Sequence, residues 1–153
     1  AELVKEKGGF LILDPSGGND SCLTPELLSL IDMVKPNEIE AEFLTGIKIT
    51  DQASMERAIE VLEQKGITYP LISLGENGVI YKNKGRIRHI PGIPVRAVDT
   101  TAAGDTFLGA FSVKLSQGCS IEEAVEYGNR AASVCVQRSG AQASIPYAGD
   151  LQG

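Results

Sequence analysis

The chain has 153 residues, a formal net charge of −6 and 42% hydrophobic side chains, which is one domain's worth of ordinary core-forming sequence. Its acidity argues against nucleic acid, which wants a basic footprint. No stretch approaches the roughly 18 consecutive apolar residues of a membrane span, and no charged start followed by an apolar core marks a secretion signal.

Cys22, Cys119 and Cys135 are odd in number, far apart and without metal-ligand spacing, so they read as reduced thiols of a cytoplasmic protein. Ala1–Lys7 looks like the tail of a helix ended by Gly8-Gly9, and the chain opens without an initiator Met. A truncated or processed protein is the expectation.

Phe10–Leu13 is a short apolar run before Asp14-Pro15, as expected of a buried parallel strand. The loop Ser16–Asp20 follows it. Thr24 is placed to cap a helix with Pro25 at its first position and Leu27, Leu28, Leu30 and Ile31 as its apolar stripe. Asp32–Lys35 reads as another short strand, stopped by Pro36.

Asn37 with Glu40 three residues on marks a helix start that ends at Thr45-Gly46. Asp51 opens a further helix whose stripe is Met55, Ala58, Ile59 and Leu62, ended by Gly66. Pro70–Leu74 is a strand that turns through Gly75–Gly78 into Val79–Tyr81, and Asn83-Lys84-Gly85 makes a hairpin to Arg86–Ile90. A helix is expected over Thr106–Leu115. Ser120 and Glu123 form a capping box on a last helix with Ala124, Gly128, Ala131, Ala132 and Cys135 as its small-residue face.

Strands alternate with helices, and the loops after strands carry Gly, Asp and Asn. This predicts an α/β, Rossmann-like fold: one domain over residues 1–153, with a mostly parallel sheet flanked by helices and ligands at the C-terminal strand edge.

The stretch richest in chemistry is Asp99-Thr100-Thr101-Ala102-Ala103-Gly104-Asp105-Thr106-Phe107. Two carboxylates bracket a small-residue turn that feeds a helix. Small side chains let a ligand approach the backbone, and a helix start offers free N–H groups and the positive end of a dipole to a phosphate. An Asp at that spot could take a proton from an attacking hydroxyl. The dipole alone also favours an Asp there. Asn37 and Glu40 have an equally ordinary reading as a helix cap, and Gly75-Glu76-Asn77-Gly78 alone is just a turn. His89, the only histidine, reads as exposed structure on a polar strand.

Four of these stretches together resemble the ribokinase-like (pfkB) carbohydrate kinases. Asp99–Phe107 resembles that family's second signature, and Lys35–Glu42 its Pro-Asn-x-x-Glu element. Ser73–Gly78 resembles its nucleotide-side loop, and Arg138-Ser139-Gly140-Ala141-Gln142-Ala143-Ser144-Ile145-Pro146 its C-terminal run, closest to the ribose-phosphorylating members.

The resemblance implies ATP-dependent phosphorylation of a sugar's primary hydroxyl, ribose first. Asp105 would be the base, and the backbone N–H groups of Ala102, Ala103, Gly104 and Asp105 an anion hole. It implies Mg²⁺ organised by Glu40, with Asn37, Ser73, Gly75, Gly78, Gly104 and Asn129 around the nucleotide. It further implies a K⁺-type monovalent-cation site at Asp99, Thr101, Cys135, Arg138, Gly140 and Ser144. A homodimer would form through a lid of the whole protein.

The family's N-terminal half, with that lid and most sugar contacts, is not in the sequence, so this chain alone is expected to be a poor enzyme. Ala102 stands where many members have Gly, and Asp14-Pro15-Ser16-Gly17 departs from the fructokinase-like pattern. A nucleoside or other sugar kinase of the family, or a non-catalytic nucleotide-binding module, are the alternatives.

Overall fold

A computed structural model describes residues 1–15 and 23–151. It divides into two compact units, Ala1–Gly75 with Ile80–His89, and Glu76–Val79 with Ile90–Gly153. The expected loop Ser16–Asp20 and Cys22 lie outside the described residues.

The first unit runs α1 (Glu2–Glu6), β1 (Ile12–Leu13), α2 (Pro25–Leu28), β2 (Met33–Val34), α3 (Glu38–Thr45), α4 (Gln52–Gln64) and β3 (Tyr69–Ser73). Most of the hairpin β4 (Val79–Asn83) and β5 (Arg86–Ile90) also belongs to it. The sheet order is β1-β2-β3-β4-β5, and β1, β2 and β3 pair in parallel.

Both parallel crossovers step the same way across the sheet. Right-handed crossovers then carry α2, α3 and α4 onto one face. That face is where the apolar cluster lies: Leu28, Leu44, Ala58, Ile59 and Leu62 of the helices against Val34, Ile72 and Ile80 of the strands. The intervening strand residues Met33, Leu71 and Tyr81 are buried too, as two-sided burial of parallel strands requires.

The local signals act as read. Thr24, Asn37, Asp51 and Ser120 each accept a helix N–H bond, the last three in reciprocal boxes. Gly46 ends α3 in the left-handed region (φ +73°). Lys84 and Gly85 both have positive φ, the requirement of a two-residue primed hairpin turn. Strands β1 and β2 are shorter than expected, two residues each, although backbone bonds from the Asp32 and Lys35 N–H groups to Leu11 O and Leu13 O continue at their ends.

The second unit is a helix pair, α5 (Ala103–Ser116) and α6 (Ile121–Cys135), followed by 3-10 turns over Gln142–Ser144 and Ala148–Leu151. Phe107 and Phe111 stack one turn apart in its core, ring centroids 6.3 Å apart. The small-residue face of α6 has a specific cause. A Cβ on Gly128 would sit 2.9 Å from the Phe107 carbonyl oxygen and 2.9 Å from its ring, so glycine sets how closely α5 and α6 approach. Helix α5 begins at Ala103, three residues before the expected Thr106, because its N-cap, Ala102, carries no capping side chain to announce it.

Since the Phe107 backbone cannot retreat without moving α5, Gly128→Ala is expected to cost about 1–3 kcal/mol by overpacking. Urea unfolding checks this. A loss under ~0.5 kcal/mol would show that the helices can separate freely.

Candidate functional site

In the first unit, the carboxyl ends of three parallel strands release Asp14, Lys35 and Ser73 along one edge. Ligands bind at such an edge in open α/β sheets. Lys35, 4% exposed, pairs with Asp14 at 2.9 Å. Sequence reasoning passed over this pair, since a Lys after a strand ordinarily reads as solvated. Only the register of β1 against β2 shows that Asp14 lies opposite it.

Pro36 then presents its carbonyl to Ser73, whose N–H donates at 2.9 Å and whose hydroxyl donates at 3.3 Å. An isolated parallel bridge joins Asn37 to Ser73. Asn37 Oδ1 accepts from the Glu40 N–H at 2.9 Å, and Glu40 Oε2 accepts from the Asn37 N–H at 2.9 Å. The cap is therefore real, and it leaves Glu40 Oε1 uncommitted.

No group of three or more His, Cys, Asp or Glu could hold a metal among the described residues. A single carboxylate nonetheless suits Mg²⁺, which keeps several waters and takes phosphate oxygens as further ligands. Gly75 closes this edge with φ +54°.

The second unit carries the cradle. Ala102 adopts φ +62°, ψ 10°, a left-handed conformation that a residue with a Cβ seldom takes. It makes no side-chain cap bond. The Ala103 N–H donates to Thr100 O at 3.2 Å and the Thr106 N–H to Ala102 O at 2.9 Å. Among the described residues, the Gly104 and Asp105 N–H groups have no protein acceptor. The Asp105 carboxylate is exposed and makes no hydrogen bond or ion pair with them. Free donors, a helix dipole and an uncommitted carboxylate thus meet within four residues.

Asp99 braces the turn from below. Its Oδ1 accepts from the Thr101 N–H at 2.9 Å and its Oδ2 from the Gly140 N–H at 3.0 Å. Bonds from Thr101, then Gly140, hold its carboxyl down at about 2, against an ordinary 3.8. The Val98 and Asp99 N–H groups both donate to Val136 O, at 2.7 and 3.1 Å.

The six residues expected around a monovalent cation fall in adjoining turns. Asp99 bridges Thr101 and Gly140, while Cys135 Sγ lies 3.8 Å from Thr101 O and 3.2 Å from Ser144 Oγ. Arg138 donates its N–H to Cys135 O at 3.0 Å and pairs with Asp150 at 3.2 Å. An anionic carboxylate with carbonyl and hydroxyl oxygens is a fitting donor set for a hard monovalent ion.

Gly78 and Gly92 form a backbone crossing. A Cβ on Gly78 would lie 2.1 Å from Ile90 O, and one on Gly92 2.0 Å from Glu76 O. Gly92 was missed, although Pro91-Gly92-Ile93-Pro94 was its signal. Asn129, expected beside a nucleotide base, donates its side-chain amide to Pro91 O at 2.9 Å and so holds the same crossing against α6. His89 is exposed on β5, and Cys119 and Cys135 are free thiols.

The sequence matches the model of the pfkB family of carbohydrate kinases over residues 1–148, and the chain belongs to that family. It is 45% identical to a ribokinase of Haemophilus influenzae over 95% of this chain and 47% of the relative. The structure of Arabidopsis thaliana ribokinase complexed with ribose and ATP superposes with TM-score 0.91 at 37% identity, covering 98% of this chain and 48% of that one. Phosphofructokinase-2 of Escherichia coli, in complex with potassium, superposes with TM-score 0.82 at 25% identity, over 98% and 48%. The chain spans about half the length of the curated relatives it matches. The α/β fold expected from the sequence is thus the ribokinase fold.

Because the folded value of Asp99 lies below its ordinary one, its contribution to stability is complete above about pH 4. It is lost as the pH falls toward 2. A carboxyl-carbon NMR titration should place the Asp99 midpoint near 2, and Asp99→Asn should remove that part of the acid dependence of unfolding. A midpoint near 4 would mean that the clamp to Thr101 and Gly140 does not form.

Proposed function

We propose that this chain carries the nucleotide-binding and catalytic part of an ATP-dependent sugar kinase acting on the primary hydroxyl of ribose. The observation that carries this reading is the uncapped start of α5. Left-handed Ala102 leaves the Gly104 and Asp105 N–H groups without protein acceptors among the described residues, beside an exposed carboxylate that has no partner among them either. The family match and the ribokinase relatives support it.

Asp105 takes the proton of the sugar hydroxyl, whose oxygen attacks the γ-phosphorus in line as the bond to the β-phosphate oxygen breaks and ADP leaves. Gly104 and Asp105 present their free backbone donors to the transferring group, with Ala102 and Ala103 shaping the turn beside them; the Ala103 N–H, expected among the donors, is taken by Thr100 O. Catalysis of this kind is mostly positioning and charge stabilisation.

Glu40 would hold Mg²⁺, with Asn37 near the phosphates. Mg²⁺ supplies charge neutralisation at the phosphate oxygens. Ser73, Gly75 and Gly78 line the nucleotide, and Asn129 lies toward the base. Asp99, the backbone at Thr101, the backbone carbonyls near Cys135, Arg138 and Gly140 and the Ser144 hydroxyl would hold K⁺.

The chain is one domain of a cytoplasmic kinase that dimerises when whole. No helix among the described residues is long and apolar enough to cross a membrane. Alone it turns over poorly, since it spans only half of its relatives' length.

In the whole kinase, Asp105→Asn should lower kcat by about 10²- to 10⁴-fold while calorimetry finds ADP binding intact. Persisting turnover would strip Asp105 of its role. A panel of ribose, other sugars and nucleosides, read by ADP release, decides the acceptor, and no release with any of them would leave a binding module.

Glu40→Gln separates cap from metal. Gln still accepts the Asn37 N–H, so unfolding free energy should move by no more than ~0.5 kcal/mol. The Mg²⁺ concentration needed for half-maximal nucleotide binding should rise about tenfold or more. An unchanged Mg²⁺ requirement would reduce Glu40 to a cap.

A further inference from the structure

Four polar or charged residues are buried among those described: Lys35, Ser54, Thr106 and Ser144. Burying such a group costs free energy unless it is paired. Lys35 has Asp14, and Ser54 serves the cap of α4. The other two converge on one sulfur.

Thr106 Oγ1 donates to Cys135 Sγ at 3.3 Å, and Ser144 Oγ lies 3.2 Å from the same atom. The single hydroxyl proton of Ser144 goes to Ala141 O at 2.6 Å. The thiol proton therefore points either to Ser144 Oγ or to Thr101 O, 3.8 Å away. A thiol is a weak donor and acceptor, so apolar packing alone would not have gathered two hydroxyls and a carbonyl around it.

The connectivity matters more than the strength. Thr106 follows Asp105 directly in the first turn of α5, Thr101 precedes Ala102 by one residue, and Ser144 closes the turn that begins near Gly140. Asp99 spans the same two turns from the other side, through the Thr101 and Gly140 N–H groups.

The geometry points to the Thr106–Cys135–Ser144 node as a positioning device: through it, the 140–144 turn sets where the Gly104 and Asp105 N–H groups stand, and hence how tightly the cradle takes a phosphate-type anion. This rests on the phosphate-binding reading of the cradle. The Cys135 side chain acts through Thr106 and touches no ligand itself.

Orthophosphate is the probe, titrated into the ¹⁵N-labelled protein while the Gly104 and Asp105 amide resonances are followed. In the unmodified protein both should shift and saturate. Cys135→Ala should raise the orthophosphate Kd about tenfold, and Cys135→Ser, which keeps a hydroxyl at the node, should recover most of the loss at a similar thermal midpoint. Thr106→Val should match Cys135→Ala, and it carries the test where the Ala variant fails to fold.

An unchanged Kd in Cys135→Ala or Thr106→Val overturns the inference. So does an equal loss in the Ala and Ser variants that tracks a falling thermal midpoint, which would make the node plain structure. If the two amides of the unmodified protein ignore orthophosphate, the cradle reading itself falls, and the node's role with it.

Discussion

The start of α5 depends on one backbone conformation, that of Ala102. A residue with a Cβ at φ +62° carries a strain of about 1–3 kcal/mol, and the surroundings must hold it there. They do so from both sides. Asp99 clamps the Thr101 and Gly140 N–H groups, Val136 O gathers the Val98 and Asp99 N–H groups, and the Thr106 N–H returns to Ala102 O. The strain yields a helix that begins abruptly, with no side-chain cap bond at its start. A Ser or Asp cap would have satisfied those donors and closed the place to a ligand.

The parallel edge of the first unit follows the opposite logic, in which charges are neutralised where they are made. A buried Lys is expensive, and its ion pair returns little net stability. Lys35 persists with Asp14 at the carboxyl ends of β1 and β2, where α/β sheets receive ligands, rather than in the apolar layer between helices and strands. Its neighbour Pro36 ties that edge to Ser73, so β2 and β3 end in register before Asn37 begins the helix. The order of this edge is thus fixed by backbone pairing, with the ion pair beneath it.

Much of this was legible in the chain because the signals were local. Cap residues three apart, Gly46 after Thr45 and the Asn83-Lys84-Gly85 turn each act within a few residues, and each element appeared. The alternation of strands with helices was enough for the fold class. What escaped was set by distance.

Helix α5 starts at Ala103 because a left-handed alanine has no sequence signature. The Lys35–Asp14 pair needs the register of two separate strands, β1 and β2, and the Gly78–Gly92 crossing needs two loops brought together. The roles around the cradle came from motif resemblance. Thr106 and Cys135, whose side chains hold its first turn, belonged to no motif that singled out their side chains.

The two carboxylates of greatest interest differ in a way that matches the role proposed for each. Glu40 is committed: one oxygen is fixed by the Asn37 N–H, so its other oxygen has a defined direction before any ligand arrives. Such a group suits holding, because ordering it on binding costs little further entropy. Asp105 is uncommitted, exposed and without partners among the described residues. A proton acceptor needs that freedom, because it must lie within hydrogen-bond reach of the hydroxyl it serves. Exchange the two environments and both would be poor choices: a base whose oxygen is tied to a backbone N–H and a wandering ligand. The cap that made Asn37 and Glu40 look ordinary would, on this argument, fit Glu40 to the ion-holding role proposed for it, and the missing cap at Ala102 would fit Asp105 to the proposed role of proton acceptor.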